Sequence, residues 1–151
     1  MAEVLAGFLS TDEVADLRRR SERVDTWTPG RQHTGYEICS LQAEMPLTHP
    51  LVARALARIG TPVEDRWDVY FIRYLDGSHI PPHVDPAEPG RRHRRINAVL
   101  AHATAGGGLI MDEKTIELRV GDAVLFYPDA EVHCVSPVSG TRLLFSVGAW
   151  I

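Results

Sequence analysis

The stretch PPHVDP, residues 81–86, sets His83 and Asp85 two positions apart directly after two prolines. In an extended chain, residues i and i+2 face the same side. An imidazole and a carboxylate can therefore converge on one point while Val84 turns away. Two histidines and one carboxylate on one face of an octahedron are the ligands of non-haem iron in oxygenases, with the opposite face open. The pair alone does not decide the matter, because His-x-Asp in a loop also occurs as a turn, a salt bridge or a solvated pair. A second histidine from another strand is required. Of the seven in the chain, His49 begins a helix, His93 lies in the charged run RRHRR, His33 precedes the strand region and His79 shares the loop of His83. His133 is placed differently, in the strand-like run AEVHCVSP. Taken singly, such a histidine is also compatible with a hydrogen-bonded core residue. Across the turn PVSG lies Arg142, whose guanidinium can offer a two-pronged fork to a carboxylate.

These residues need a scaffold. The chain has 151 residues, 44% of them hydrophobic and 24% charged, with a formal net charge of −4. That size suits one domain with a real core, expected over 1–151. The acidic balance provides no global field for nucleic acid or anionic lipid. The N-terminus shows no secretory pattern, and no apolar run reaches the length of a membrane span. Two cysteines, Cys39 and Cys134, are too few for a disulfide framework. A cytoplasmic location is the expectation; the oligomeric state is not legible.

Ser10-Thr-Asp-Glu13 has the form of a capping box, and apolar spacing behind it predicts a helix over 11–23. A second helix is expected over 50–58, with Thr48 as N-cap and Gly60 as stop. Then come strand-like runs at 67–75, 96–104, 108–111, 115–120, 123–128, 131–138 and 141–151, separated by turn signals such as DGS, EPG and AGGG. A helical preface (about 1–65) followed by a β core (about 66–151) predicts a mainly β fold, a double-stranded β-helix or jelly roll with helices packed outside.

From Tyr70 to Trp150 the chain resembles the 2-oxoglutarate/Fe(II)-dependent dioxygenases, in particular their prolyl-4-hydroxylase-like branch. RYLDGSHIPPHVD resembles a Tyr-x-x-Gly-(x)5-His-x-Asp block. INAVLAHATAGGGLIM, ELRVGDAVLFYPD and VHCVSPVSGTRLLFSV resemble the family's following blocks, in order. The resemblance implies that His83, Asp85 and His133 bind Fe(II), and that Arg142 pairs with the distal carboxylate of 2-oxoglutarate. It implies that Tyr74 hydrogen-bonds the same co-substrate, and it places His102 where many members carry a second tyrosine. O2 would be the second co-substrate and ascorbate an optional accessory reductant. The implied reaction hydroxylates an unactivated C–H bond of an amino acid, a small metabolite or a peptide- or carrier-bound residue, with release of succinate and CO2. Asp85 is intact, which argues for oxygen transfer rather than halogenation.

Two features stand out. The position six after Arg142 is often Trp in relatives and is Gly148 here, which would leave room at the barrel mouth. Arg91, Arg92, Arg94 and Arg95 follow the first two ligands, either as a solvated loop or as a lid that meets a carboxylate or phosphate on the substrate. Arg73 alternates to the outside, and Arg31 and Tyr36 are candidates to cover the site. The rival readings are an oxidative demethylase of alkylated nucleic acid or protein, disfavoured for nucleic acid by the acidic charge, and a non-catalytic jelly-roll binding protein.

Overall fold

The computed structural model describes residues 2–151; of the span 1–151, only Met1 lies outside the described residues. Ser10 starts α1 (Thr11–Glu22) as its sequence requires. Its hydroxyl accepts the Glu13 N–H at 3.1 Å, and Glu13 accepts the Ser10 N–H at 2.9 Å. The helix buries Val14 and Leu17. The second helix, α2 (Pro50–Ile59), is capped by His49, whose Nδ1 accepts from the Leu51 N–H, and not by Thr48. Pro50 holds the first helical position, so the cap falls on the residue directly before it. Arg54 of α2 grips both oxygens of Glu13 at 2.8 Å, tying the two helices together.

That pairing carries a pH dependence. Arg54 holds the Glu13 carboxyl down at about 2, against an ordinary value of 4.5. A depressed carboxyl stabilises the fold at pH values above its unfolded pKa, and this contribution is lost as pH falls from about 4.5 towards 2. Thermal unfolding midpoints followed over that range should fall more steeply for native protein than for Glu13→Gln; parallel curves would show that the pair contributes nothing.

Three short strands lie among the helices: β1 (Glu3–Leu5), β2 (Thr28–Pro29) and β3 (Tyr36–Ser40). The expected helical preface is thus corrected, because these strands extend the main sheet. The remaining strands are β4 (Trp67–Tyr74), β5 (Ile80–His83), β6 (His93–Ala101), β7 (Leu109–Met111), β8 (Lys114–Thr115), β9 (Ala123–Phe126), β10 (His133–Val135) and β11 (Arg142–Trp150). They form a seven-stranded sheet in the order β1-β9-β6-β11-β4-β3-β2 and a four-stranded sheet in the order β5-β10-β7-β8, antiparallel throughout. The fold is a jelly roll with both helices outside.

Period-2 alternation divides the large sheet. Val69, Phe71, Ile96, Ala98, Phe145 and Val147 face the helices and, with Val52, Ala55 and Ile59 of α2, make the larger core cluster. The other face looks at the small sheet across a second cluster that includes Ile72, Val99, Leu109, Val124, Val135 and Leu144. Two expected strands move. The one expected at 96–104 begins at His93, inside the run read as a charged loop, and the one at 115–120 shrinks to Lys114–Thr115. Arg73 lies outside as expected, paired with Glu37 and 4.1 Å from the Trp27 ring centre. No helix among the described residues is long and apolar enough to cross a membrane.

Candidate active site

β5 is the edge strand of the small sheet. That position explains why Pro81 and Pro82 are tolerated: an edge strand has one side of its backbone free of partners. On its paired side, His83 lies opposite His133 of β10, with ring centres 4.3 Å apart. Just past the strand, the Asp85 N–H donates to the Pro128 carbonyl at 2.8 Å. One ligand atom from each of His83, Asp85 and His133 lies within 4.8 Å of the other two.

The two imidazoles are oriented alike. His83 Nδ1 lies 2.8 Å from the Pro81 carbonyl oxygen, and His133 Nδ1 lies 2.8 Å from that of Glu131. A carbonyl can only accept, so Nδ1 carries the proton in both rings, and both Nε2 lone pairs are free to bind a cation. Burial lowers the pKa of His133 from its ordinary value, which favours the neutral form that ligates. A cation already sits on the carboxylate: Arg31 Nη2 is 2.7 Å from Asp85 Oδ1. The donor set, two neutral imidazole nitrogens and one carboxylate oxygen, suits Fe(II).

The large sheet supplies the facing wall. Its register places Tyr74, Ile72, Tyr70 and Asp68 of β4 opposite Arg142, Leu144, Ser146 and Gly148 of β11. On the other side of β11, Val99, Asn97, Arg95 and His93 of β6 lie opposite Leu144, Ser146, Gly148 and Trp150. Between this wall and the triad is a cavity of 390 Å³. At its inner end is a smaller cavity lined by Arg142 and sharing Tyr74, Asn97, Leu109 and Val135 with the larger one. Arg142 is 5% exposed. Its Nη1 donates to the Gly107 carbonyl, an approach that needs glycine: a Cβ there would lie 3.0 Å from Arg142 Cδ, at φ +80°. Among the described residues no carboxylate pairs with Arg142. A buried guanidinium without a counter-anion is costly, so an anion at this inner end would be stabilised by it. Burial raises the pKa of Tyr74, so its hydroxyl stays a donor.

A sequence profile of the 2OG-Fe(II) oxygenase superfamily matches residues 69–151. The chain belongs to this superfamily. As a 2OG-Fe(II) oxygenase it is a dioxygenase of hydroxylase type that uses iron and 2-oxoglutarate. It is 30% identical to a PKHD-type hydroxylase of Stenotrophomonas maltophilia strain R551-3, over 90% of this chain and 72% of the relative. Among solved structures it is similar to a Pseudomonas putida prolyl-4-hydroxylase (20% identity, TM-score 0.70, 99% of this chain and 90% of that one). It is also similar to HygX of Streptomyces hygroscopicus with nickel and 2-oxoglutarate bound (18% identity, TM-score 0.75, 97% and 81%). At these identities the structural matches establish the shared jelly roll.

Several expected contributors to the oxygenase site are placed differently. His102 is exposed. It lies beside Arg142 in a separate depression that also includes Gly106, Thr115 and Ser136, outside the triad cavity. Of the four arginines after the first ligands, only Arg95 lines the triad cavity. Arg91 pairs with Glu64, Arg92 lies over Tyr127, and Arg94 donates to the Ile59 carbonyl. The reason is register: β6 starts at His93, so Arg95 faces inward and Arg94 outward. The room expected at Gly148 is also filled. A Cβ there would lie 2.3 Å from Arg95 Nη2 and 2.5 Å from Cζ. Arg95 instead donates to Ser146 Oγ at 2.8 Å and Asp68 Oδ1 at 2.7 Å. Its guanidinium carbon lies 4.7 Å from the Tyr70 ring centre; burial pushes the Tyr70 hydroxyl up to about 12.

Gly148→Ala should therefore expel the Arg95 guanidinium from these contacts and destabilise the protein by about 1–3 kcal/mol, measured by urea unfolding. Unchanged stability would mean that Arg95 does not occupy this space. Asp68, Tyr70 and Asn97 also line the cavity, and sequence reading missed them; their signal is the period-2 alternation of β4 and β6.

Proposed function

We propose that this oxygenase hydroxylates an unactivated C–H bond of an amino acid, a small metabolite or a residue carried on a peptide or carrier protein. In this reading the chain acts as a single catalytic domain. His83 and His133, through Nε2, and Asp85, through a carboxylate oxygen, hold the iron. Arg142 and the Tyr74 hydroxyl take the distal carboxylate of 2-oxoglutarate. One observation carries the co-substrate assignment: a buried guanidinium without a carboxylate partner stands at the inner end of the cavity that begins at the triad. When bound, the iron with 2-oxoglutarate supplies the activation of O2, one oxygen atom going to succinate, with loss of CO2, and the other to the substrate.

The protein's part is positioning. Carbonyl acceptors at Pro81 and Glu131 fix both imidazole tautomers. The Pro128 carbonyl fixes the backbone at Asp85. Ile72, Leu109 and Val135 dry the path between triad and arginine. The outer cavity, lined by Arg31, Asp68, Glu88 and Arg95, is left for the substrate.

Succinate formation measured against pools of amino acids and of peptides tests this. The reading requires succinate made in step with a product that gains one oxygen atom by mass. Formaldehyde released in place of a hydroxylated product would move the assignment to oxidative demethylation.

A further inference from the structure

His93 is the third histidine of the cavity, and neither the metal triad nor the anion site uses it. It is 7% exposed and fixed on three sides. Its ring stacks on Trp150, with centres 4.9 Å apart and planes at 17°. Its backbone N–H donates to Asp129 Oδ2 at 3.2 Å. Its Nε2 lies 3.3 Å from Arg95 Nη2. A guanidinium has donors and no acceptor, so Nε2 must present its lone pair and the ring proton must be on Nδ1. That Nδ1 is buried without a hydrogen-bond partner, which in a folded interior calls for an explanation. The polar atom it faces is Oδ2 of Asp85, 3.9 Å away. This is about 0.7 Å beyond the long end of an N–H···O bond, and the carboxylate torsion that separates them is soft. The other oxygen, Oδ1, is on the His83 side, 3.3 Å from His83 Nε2, and carries the Arg31 guanidinium.

We propose that His93 is a positioning residue for the metal site: Arg95 fixes its tautomer so that Nδ1–H donates to Oδ2 of Asp85 and leaves Oδ1 to face the cation. The inference rests on the assignment of Asp85 as a ligand. It also explains why Arg95 fills the space above Gly148. In that place the guanidinium reaches Asp68, Ser146 and His93 together and connects the substrate side of the cavity to the ligand carboxylate. Partners behind ligating groups typically alter metal affinity by about 10- to 100-fold.

The test is a Co(II) titration by visible absorption, without 2-oxoglutarate, so that the readout is independent of turnover. Three variants separate the donor's position from bulk. His93→Asn places an amide N–H near the position of Nδ1, His93→Gln places one near Nε2, and His93→Phe keeps only the stack on Trp150. The expected result is Co(II) binding weakened about 10-fold or more in the Gln and Phe variants and restored to within about threefold of native in Asn. Should the Phe variant fail to fold, the comparison of Asn with Gln still decides. Native affinity in the Gln variant, or equal loss in Asn and Gln, would overturn the proposal. Native protein that binds no Co(II) would instead overturn the assignment of the triad.

Discussion

Asp85→Ala protein should bind Fe(II) on the order of 10²-fold or more weaker than native protein and form no succinate, while keeping its fold. The reasoning is local. The triad provides three donor atoms within 4.8 Å, and Asp85 is its only anion. Loss of a direct ligand should exceed the 10- to 100-fold effect of a group that merely supports one. The fold should survive because Asp85 follows the edge strand, alanine retains its backbone N–H to Pro128, and the ion pair lost with Arg31 is a half-exposed one of small stabilising effect. His133→Ala should lose the metal as well. Its site is 8% exposed and packed edge-on against Phe126, so that variant should also lose stability. Calorimetry and anaerobic metal titration separate the two effects. Tight Fe(II) binding by Asp85→Ala would remove the carboxylate from the site.

The second large effect is at Arg142. Arg142→Ala should raise the KM for 2-oxoglutarate on the order of 10²- to 10³-fold with metal affinity unchanged, because breaking a buried charge pair costs about 2–5 kcal/mol. Arg142→Lys keeps the charge and loses the planar fork, and should fall between the two. The separation is spatial: the triad belongs to β5, its following loop and β10, whereas Arg142 begins β11 and is fixed by Gly107. An unchanged KM in Arg142→Ala would refute the co-substrate assignment, and weaker metal binding in that variant would show that the two sites are not independent.

Much of this arrangement was legible in the chain because it depends on local rules. Ser10 and Glu13 announced α1, and the His-x-Asp spacing announced a shared face. The short runs separated by turn signals after Gly60 announced the jelly roll, and the ordered blocks after Tyr70 announced the superfamily. What remained hidden depended on long-range register. RRHRR has the composition of a solvated loop, yet pairing with β11 starts β6 at His93 and turns Arg95 inward onto Asp68 and Ser146, residues distant in sequence. The absent side chain at Gly148 correctly marked an unusual place; that an arginine from the neighbouring strand fills it could not be read without the pairing. β6 also shifts register against β11 between Leu143 and Leu144, so strict alternation could not be carried through to His102. The strands Glu3–Leu5 and Tyr36–Ser40 escaped notice because they are short and gain their stability from β9 and β4, respectively.

The most direct test of the central claim is optical. Native protein is mixed anaerobically with Fe(II) and 2-oxoglutarate, and the visible charge-transfer band of the chelate is recorded. A band that saturates at one equivalent of each, is absent from His83→Ala and needs far more 2-oxoglutarate in Arg142→Ala is the predicted result. Native protein that shows no band under these conditions would contradict the account.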